Sequence, residues 1–120
     1  MAIIPRLDAV FIHVSDMTRA IDWYSRLLDL PIGETAHEGM IYDLPVEGDT
    51  GILLDAYPKP VAPRGTGPRV MFDTTDLDAA AAHARTLTET VTEPEDIGSA
   101  IVFYLEDPDG NLVCIKHPKQ

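Results

Sequence analysis

Cysteine is nearly missing from this sequence: Cys114 is the only one among 120 residues. No intrachain disulfide can form, so packing alone must hold the fold, and a reducing, cytoplasmic location is expected. Basic side chains are scarce too, with 9 Lys and Arg against 20 Asp and Glu and a formal net charge of -11. Neutralising a row of phosphates takes clustered cations, which argues against nucleic acid and anionic membrane surfaces as partners. No apolar run approaches the roughly 20 residues that cross a bilayer. The start, Met1 to Leu7, has Pro5 and Arg6 where a signal peptide would carry a continuous apolar stretch. A membrane span is therefore not expected. The four histidines, His13, His37, His83 and His117, include no pair at metal-ligand spacing. Arg64-Gly65-Thr66-Gly67 lacks the lysine and the following helix of a phosphate-binding loop.

What is present is an apolar set of 45% of the chain, enough for one compact domain over residues 1–120. Val10-Phe11-Ile12-His13-Val14 has the β-branched and aromatic character of a strand and runs into Ser15-Asp16, whose side-chain oxygens suit a helix N-cap. Met17, Ala20, Ile21, Tyr24, Leu27 and Leu28 then recur at helical spacing. Asp29 stands where a helix often closes on a left-handed residue, and Pro31 blocks continuation. Strands are expected near Ile32 to Ala36, Met40 to Leu44 and Gly51 to Ala56. Pro58, Pro60, Pro63, Gly65 and Gly67 mark a linker over 58–67. Beyond it the pattern returns: strand Val70 to Phe72, cap Asp76, and a helical stripe of Leu77, Ala80, Ala81, Ala84 and Leu87. The apolar run Ala100 to Leu105, the turn Asp107-Pro108-Asp109-Gly110-Asn111 and the strand Leu112 to Lys116 follow.

A shift of 60 residues lays one half on the other: Phe11 on Met71, Ile12 on Phe72, Asp16 on Asp76, Met17 on Leu77, Leu27 on Leu87 and Ile52 on Leu112. A constant offset through strand, cap, helix and last strand is the mark of a duplicated unit.

Val14-Ser15-Asp16-Met17, Ala20-Ile21-Asp22-Trp23-Tyr24 and Leu27-Leu28-Asp29-Leu30 resemble the opening of vicinal oxygen chelate proteins, the glyoxalase, bleomycin-resistance and dioxygenase superfamily. Asp76-Leu77-Asp78-Ala79-Ala80 and Glu106-Asp107-Pro108-Asp109-Gly110-Asn111 resemble its second half. Asp29 departs from the usual glycine, but Asp tolerates the left-handed conformation better than most residues. The resemblance implies an α+β fold of two tandem βαβββ modules, 6–57 and 68–118. Their eight strands would form a cup-shaped mixed sheet with the helices outside and a small-molecule cavity inside. It also implies a homodimer, because chains of this length in the family usually pair. Family enzymes place four metal ligands in the cavity, and the matching positions here are Ala9, Leu54, Arg69 and Cys114. Only the thiol can donate a lone pair, so no metal and no cofactor are expected there. A one-residue slip would bring in Asp55 without restoring the rest.

Counting by two from His13 reaches Phe11 and Ala9, and the shift of 60 maps these onto Asp73, Met71 and Arg69. All six are expected on the cavity face. His13 is the catalytic candidate, as base or hydrogen-bond donor, with Asp73 across the cavity fixing its tautomer. Arg69 suits an anionic ligand group and would favour a thiolate at Cys114. Phe11, Tyr42, Leu54 and Phe103 complete the expected lining. Plainer roles stand beside these: His13 and Asp73 as polar strand ends, Arg69 reaching solvent, Cys114 packed as a small apolar residue. Three functions stay open: a metal-independent binder of a small organic molecule, a lyase or isomerase working through His13 or a displaced metal, and a structural module.

Overall fold

The structure is a computed structural model and describes residues 2–58 and 67–119. The linker stretch 59–66, with most of the expected 58–67 connection and the Arg64-Gly65-Thr66 segment, lies outside the described residues. The first module runs β1 (Ala9–His13), α1 (Met17–Leu28), β2 (Ile41–Leu44) and β3 (Gly51–Asp55). The second runs β4 (Val70–Asp73), α2 (Leu77–Arg85), β5 (Glu95–Asp96), β6 (Ala100–Glu106) and β7 (Leu112–Pro118). The strands form two sheets, ordered β1-β3-β2 and β4-β7-β6-β5. In each sheet the first strand lies parallel to the last, and the remaining pairs are antiparallel. Two helices and two mixed sheets of like topology make the α+β, two-module fold.

Helix boundaries follow local chemistry. Asp16 Oδ1 accepts from the backbone N–H of Arg19 at 3.0 Å, and Asp76 Oδ1 accepts from that of Ala79 at 3.1 Å. Each carboxylate satisfies one of the donors that a helix start leaves unpaired. At the far end of α1, Asp29 adopts φ 54° and ψ 53°, and the next N–H, of Leu30, returns to Ser25 O at 2.9 Å. This is the left-handed closure expected of that position.

One expected strand is not formed. Residues 32–36 contribute only the isolated bridge from Ala36 to Ile41. Pro31 has no N–H, and the N–H of Gly33 is taken by the Tyr42 hydroxyl at 3.0 Å instead of by a ladder. The turn that follows is left-handed at three successive residues, His37, Glu38 and Gly39.

Both modules share one core. The helix-facing side chains Ile12, Val14, Leu44 and Leu54 pack with Trp23 and Tyr24 of α1 and with Phe103, Leu105, Val113 and Ile115 of the second sheet. Polar contacts link α1 to α2 and to the turn after it. Trp23 Nε1 donates to Leu87 O at 3.2 Å, and His83 Nε2 lies 2.8 Å from Arg26 O.

Candidate ligand-binding site

Strand phase decides which residues face a ligand. In β1 the side chains alternate, with Ile12 buried beneath α1 and Phe11 and His13 exposed on the other face. The β1–β3 register sets Phe11 beside Leu53 and His13 beside Asp55, so these four share the face that carries no helix. In the second sheet Met71 pairs with Cys114, Cys114 with Tyr104, and Asp73 with Lys116, again on the open face. Phe11 and Met71, related by the shift of 60, are each 53% exposed. Two large apolar side chains at matching points of two open sheet faces are costly to leave in water.

Three expected lining residues belong elsewhere. Tyr42 and Leu54 pair with each other in the β2–β3 ladder, and Leu54 lies beside Ile12, so both sit in the helix-side core. Phe103 pairs with Ile115 and is also fully buried in that core. The correction has a simple origin. Phe11 pairs with Leu53 while Met71 pairs with Cys114, so the last strands of the modules are offset by 61 residues, not 60. The open-face counterpart of Cys114 is therefore Leu53. In β2 the open-face residues are Ile41 and Asp43.

The electrostatics differ from the expected pairing as well. His13 Nδ1 lies 3.1 Å from the backbone O of Asp55. A carbonyl can only accept, so in the neutral ring Nδ1 carries the proton and Nε2 offers the lone pair. Asp55, not Asp73, fixes this tautomer. Asp73 instead forms an ion pair with Lys116 at 3.3 Å. Cys114 is buried against Ala100, Val102 and Tyr104. That burial pushes its thiol above the usual range, outweighing the hydrogen bond from Tyr104 and the charges of Arg69 and Lys116. The expected thiolate is not favoured.

A cleft of about 580 Å³ opens between the modules. It is lined by Arg69, Met71 and Asp73 together with Val10, Leu28, Ile52, Val70 and Phe72, and by neither His13, Phe11 nor Cys114. The cleft thus takes Arg69 and leaves His13 on the open sheet face, so the expected joint lining by these two is not what this volume shows.

One constellation was legible only as a turn. The buried Asp107 carboxylate accepts from the Tyr24 hydroxyl at 2.7 Å, from Asn111 Nδ2 at 2.8 Å, and from the N–H groups of Asp109 and Asn111 at 2.9 and 2.8 Å. Asn111 Nδ2 also donates to His13 O at 3.0 Å. The turn between β6 and β7 therefore clamps α1 and the end of β1, holding the His13 backbone in place. The signal available was Asp107 to Asn111 itself, which shows a turn but not what its side chains grip.

The chain matches the model of the Glyoxalase/Bleomycin resistance protein/Dioxygenase superfamily over residues 6–115. It belongs to that superfamily. Among solved structures it is similar to TnmS3, an antibiotic binding protein from Streptomyces sp. CB03234, with 26% identity, a TM-score of 0.75, and coverage of 97% of this chain and 98% of that one. A glyoxalase / bleomycin resistance protein from Catenulispora Acidiphila DSM 44928 has 19% identity, a TM-score of 0.69, and coverage of 95% and 100%. Lactoylglutathione lyase from Agrobacterium tumefaciens has 17% identity, a TM-score of 0.70, and coverage of 94% and 93%. The last two likenesses concern the fold. No curated protein matches the chain.

The residues do not fit the metal that superfamily enzymes hold. With the corrected register the four positions are Ala9, Leu53, Arg69 and Cys114, of which three have no lone pair to give. Among the described residues, no group of three or more His, Cys, Asp and Glu side chains is placed to hold an ion. No helix among them is long and apolar enough to cross a membrane.

Proposed function

We propose that this superfamily member is a cytoplasmic binder of a small organic molecule, taken without a metal on the open sheet faces and enclosed by a second copy of the chain. The observation that carries this reading is the pair Phe11 and Met71, exposed at repeat-related points of the two faces. A ligand with an apolar, ring-bearing body would cover them, and a hydroxyl or N–H on it would donate to His13 Nε2. A homodimer gives the same faces a second wall, since one chain leaves them open and an isologous two-fold contact repeats each face. The single cysteine, held as a buried thiol, suits a reducing compartment. The likeness to an antibiotic binding protein supports sequestration as the task.

The test is a melting-temperature screen of chelator-treated protein against small aromatic and polycyclic compounds, run with Phe11→Ala alongside. A bound compound at 100 times its Kd adds about 2.7 kcal/mol to stability. The proposal expects such shifts in the parent chain and their loss in Phe11→Ala. Shifts that appear only after metal is restored would defeat it.

The orientation of His13 favours one second reading, a lyase or isomerase in which Nε2 removes a proton from a substrate carbon. Solvent deuterium would then enter the bound compound, and His13→Gln would stop the exchange while leaving binding within a few fold. Absence of exchange in the parent chain leaves the binder reading alone.

A further inference from the structure

The cleft between the modules has a geometry that the open-face reading does not use. Its wall includes Arg69, Met71 and Asp73, which point to one side of β4, and also Val70 and Phe72, which point to the other. A cavity touches both sides of a strand only when it runs along the strand's edge. That edge is free: β4 pairs with β7 alone among the described strands, so its other edge turns unpaired backbone groups toward the cleft. Across from it stand Val10, Leu28, Leu30, Val46 and Ile52 of the first module, an apolar patch flanked by Glu47 and Thr50. At about 580 Å³ the volume falls within the 300–1,000 Å³ typical of small-molecule pockets.

The charges in the cleft are unequal in their freedom. Asp73 is already neutralised by Lys116 at 3.3 Å, whereas Arg69 forms no ion pair with any described residue. Glu47 also lines the cleft but is solvent-exposed, so salt damps its repulsion of an anion. A chain with a net charge of -11 repels polyanions at long range, yet an unpaired guanidinium beside the apolar side chains of the cleft attracts a single carboxylate at contact distance. From the cleft along the free edge of β4 and the unpaired Arg69 in its lining, we infer a second ligand site, reached round that edge from the open face and sharing Met71 with it, for an amphipathic monocarboxylate. The alkyl or aryl body lies against Val10, Leu28, Ile52 and Phe72, and the carboxylate meets Arg69 in a fork-to-fork hydrogen bond. Occupancy of this site ties the two modules together, because its walls come from both.

The experiment is calorimetric titration of the full-length chain with octanoate, octanol and octylamine, three probes with one body and different heads. Octanoate binds best, octanol about tenfold more weakly, and octylamine more weakly still. Arg69→Ala erases the advantage of octanoate over octanol. Leu30→Trp, which fills the cleft from the end of α1, abolishes binding of all three, with an unchanged melting temperature in the absence of probe showing that the fold is kept. Octylamine binding as well as octanoate, unaltered octanoate binding in Arg69→Ala, or no binding of any probe would each overturn the inference. Phe11→Ala distinguishes this site from the open face: if octanoate binding disappears in that variant, the probe sits on the open face and the cleft site is refuted, whatever becomes of the open-face reading.

Discussion

At the scale of single residues, the energetics concentrate on groups that carry no expected chemistry. Tyr24 is fully buried and donates to Asp107, whose carboxylate has its other acceptor sites filled by Asn111 and two backbone N–H groups. Tyr24→Phe keeps the volume and removes one donor from a buried carboxylate, so it should cost about 1 to 3 kcal/mol in urea denaturation. Burial, then the charge of Asp107, holds the Tyr24 hydroxyl far above its ordinary 10.0, and burial raises the Cys114 thiol above its ordinary 9.0. In both cases the folded chain keeps a proton that the unfolded chain releases. Loss of that stability therefore begins near the ordinary values, 9.0 for Cys114 and 10.0 for Tyr24, and continues as pH rises toward the raised values of the folded chain. Denaturation midpoints measured across pH 8 to 11 should fall for the parent chain, and fall less steeply for Tyr24→Phe. A parallel decline in both would remove Tyr24 from the explanation.

At the scale of elements, legibility depended on contrast between the two sides of a segment. The α1 stripe, both N-caps and the left-handed Asp29 were readable because apolar and polar residues alternate sharply there. The phase of β1 was readable for the same reason. Ile52-Leu53-Leu54 and Ala100-Ile101-Val102-Phe103-Tyr104-Leu105 are apolar on both sides, so nothing in the residues marks which face meets the helices. The extra residue that turns the offset from 60 to 61 was hidden by that uniformity, and with it the true placement of Leu54 and Phe103. Tyr42 did carry a clue, since Asp43 beside it is exposed. Leu54→Ala should cost about 2 to 5 kcal/mol through the cavity it opens, whereas Phe11→Ala should change stability by less than about 1 kcal/mol. Equal losses in thermal unfolding would show the assigned faces to be wrong. At the end of α1, Asp29→Gly should stabilise the chain by about 0.5 to 1 kcal/mol, because it relieves φ 54° and removes a negative charge from a helix C-terminus. Asp29→Asn, which removes the charge alone, should fall between the two in a denaturant titration.

At the scale of the whole molecule, two sheets back onto one shared core and turn their other faces outward. The radius of gyration is 15.1 Å, against about 13.6 Å expected for a compact domain of this length. Duplication could be read from spacing, whereas the two-module fold and the family's metal positions came from the resemblance, and one of those positions, Leu54, needed the register of β3 to become Leu53. The inter-module clamp and the cleft could not, because both arise from long-range approach of segments such as Tyr24 and Asp107 that the linear pattern does not bring together. The central claim is that ligand binding needs the open faces and a second copy of the chain, and needs no metal. Native mass spectrometry of chelator-treated protein, incubated with compounds from the melting screen, tests all three parts at once. The account predicts a dimer mass carrying an organic adduct, with no metal mass, and loss of that adduct in Phe11→Ala. An adduct on the monomer, one that requires added metal, or one indifferent to Phe11→Ala would contradict it.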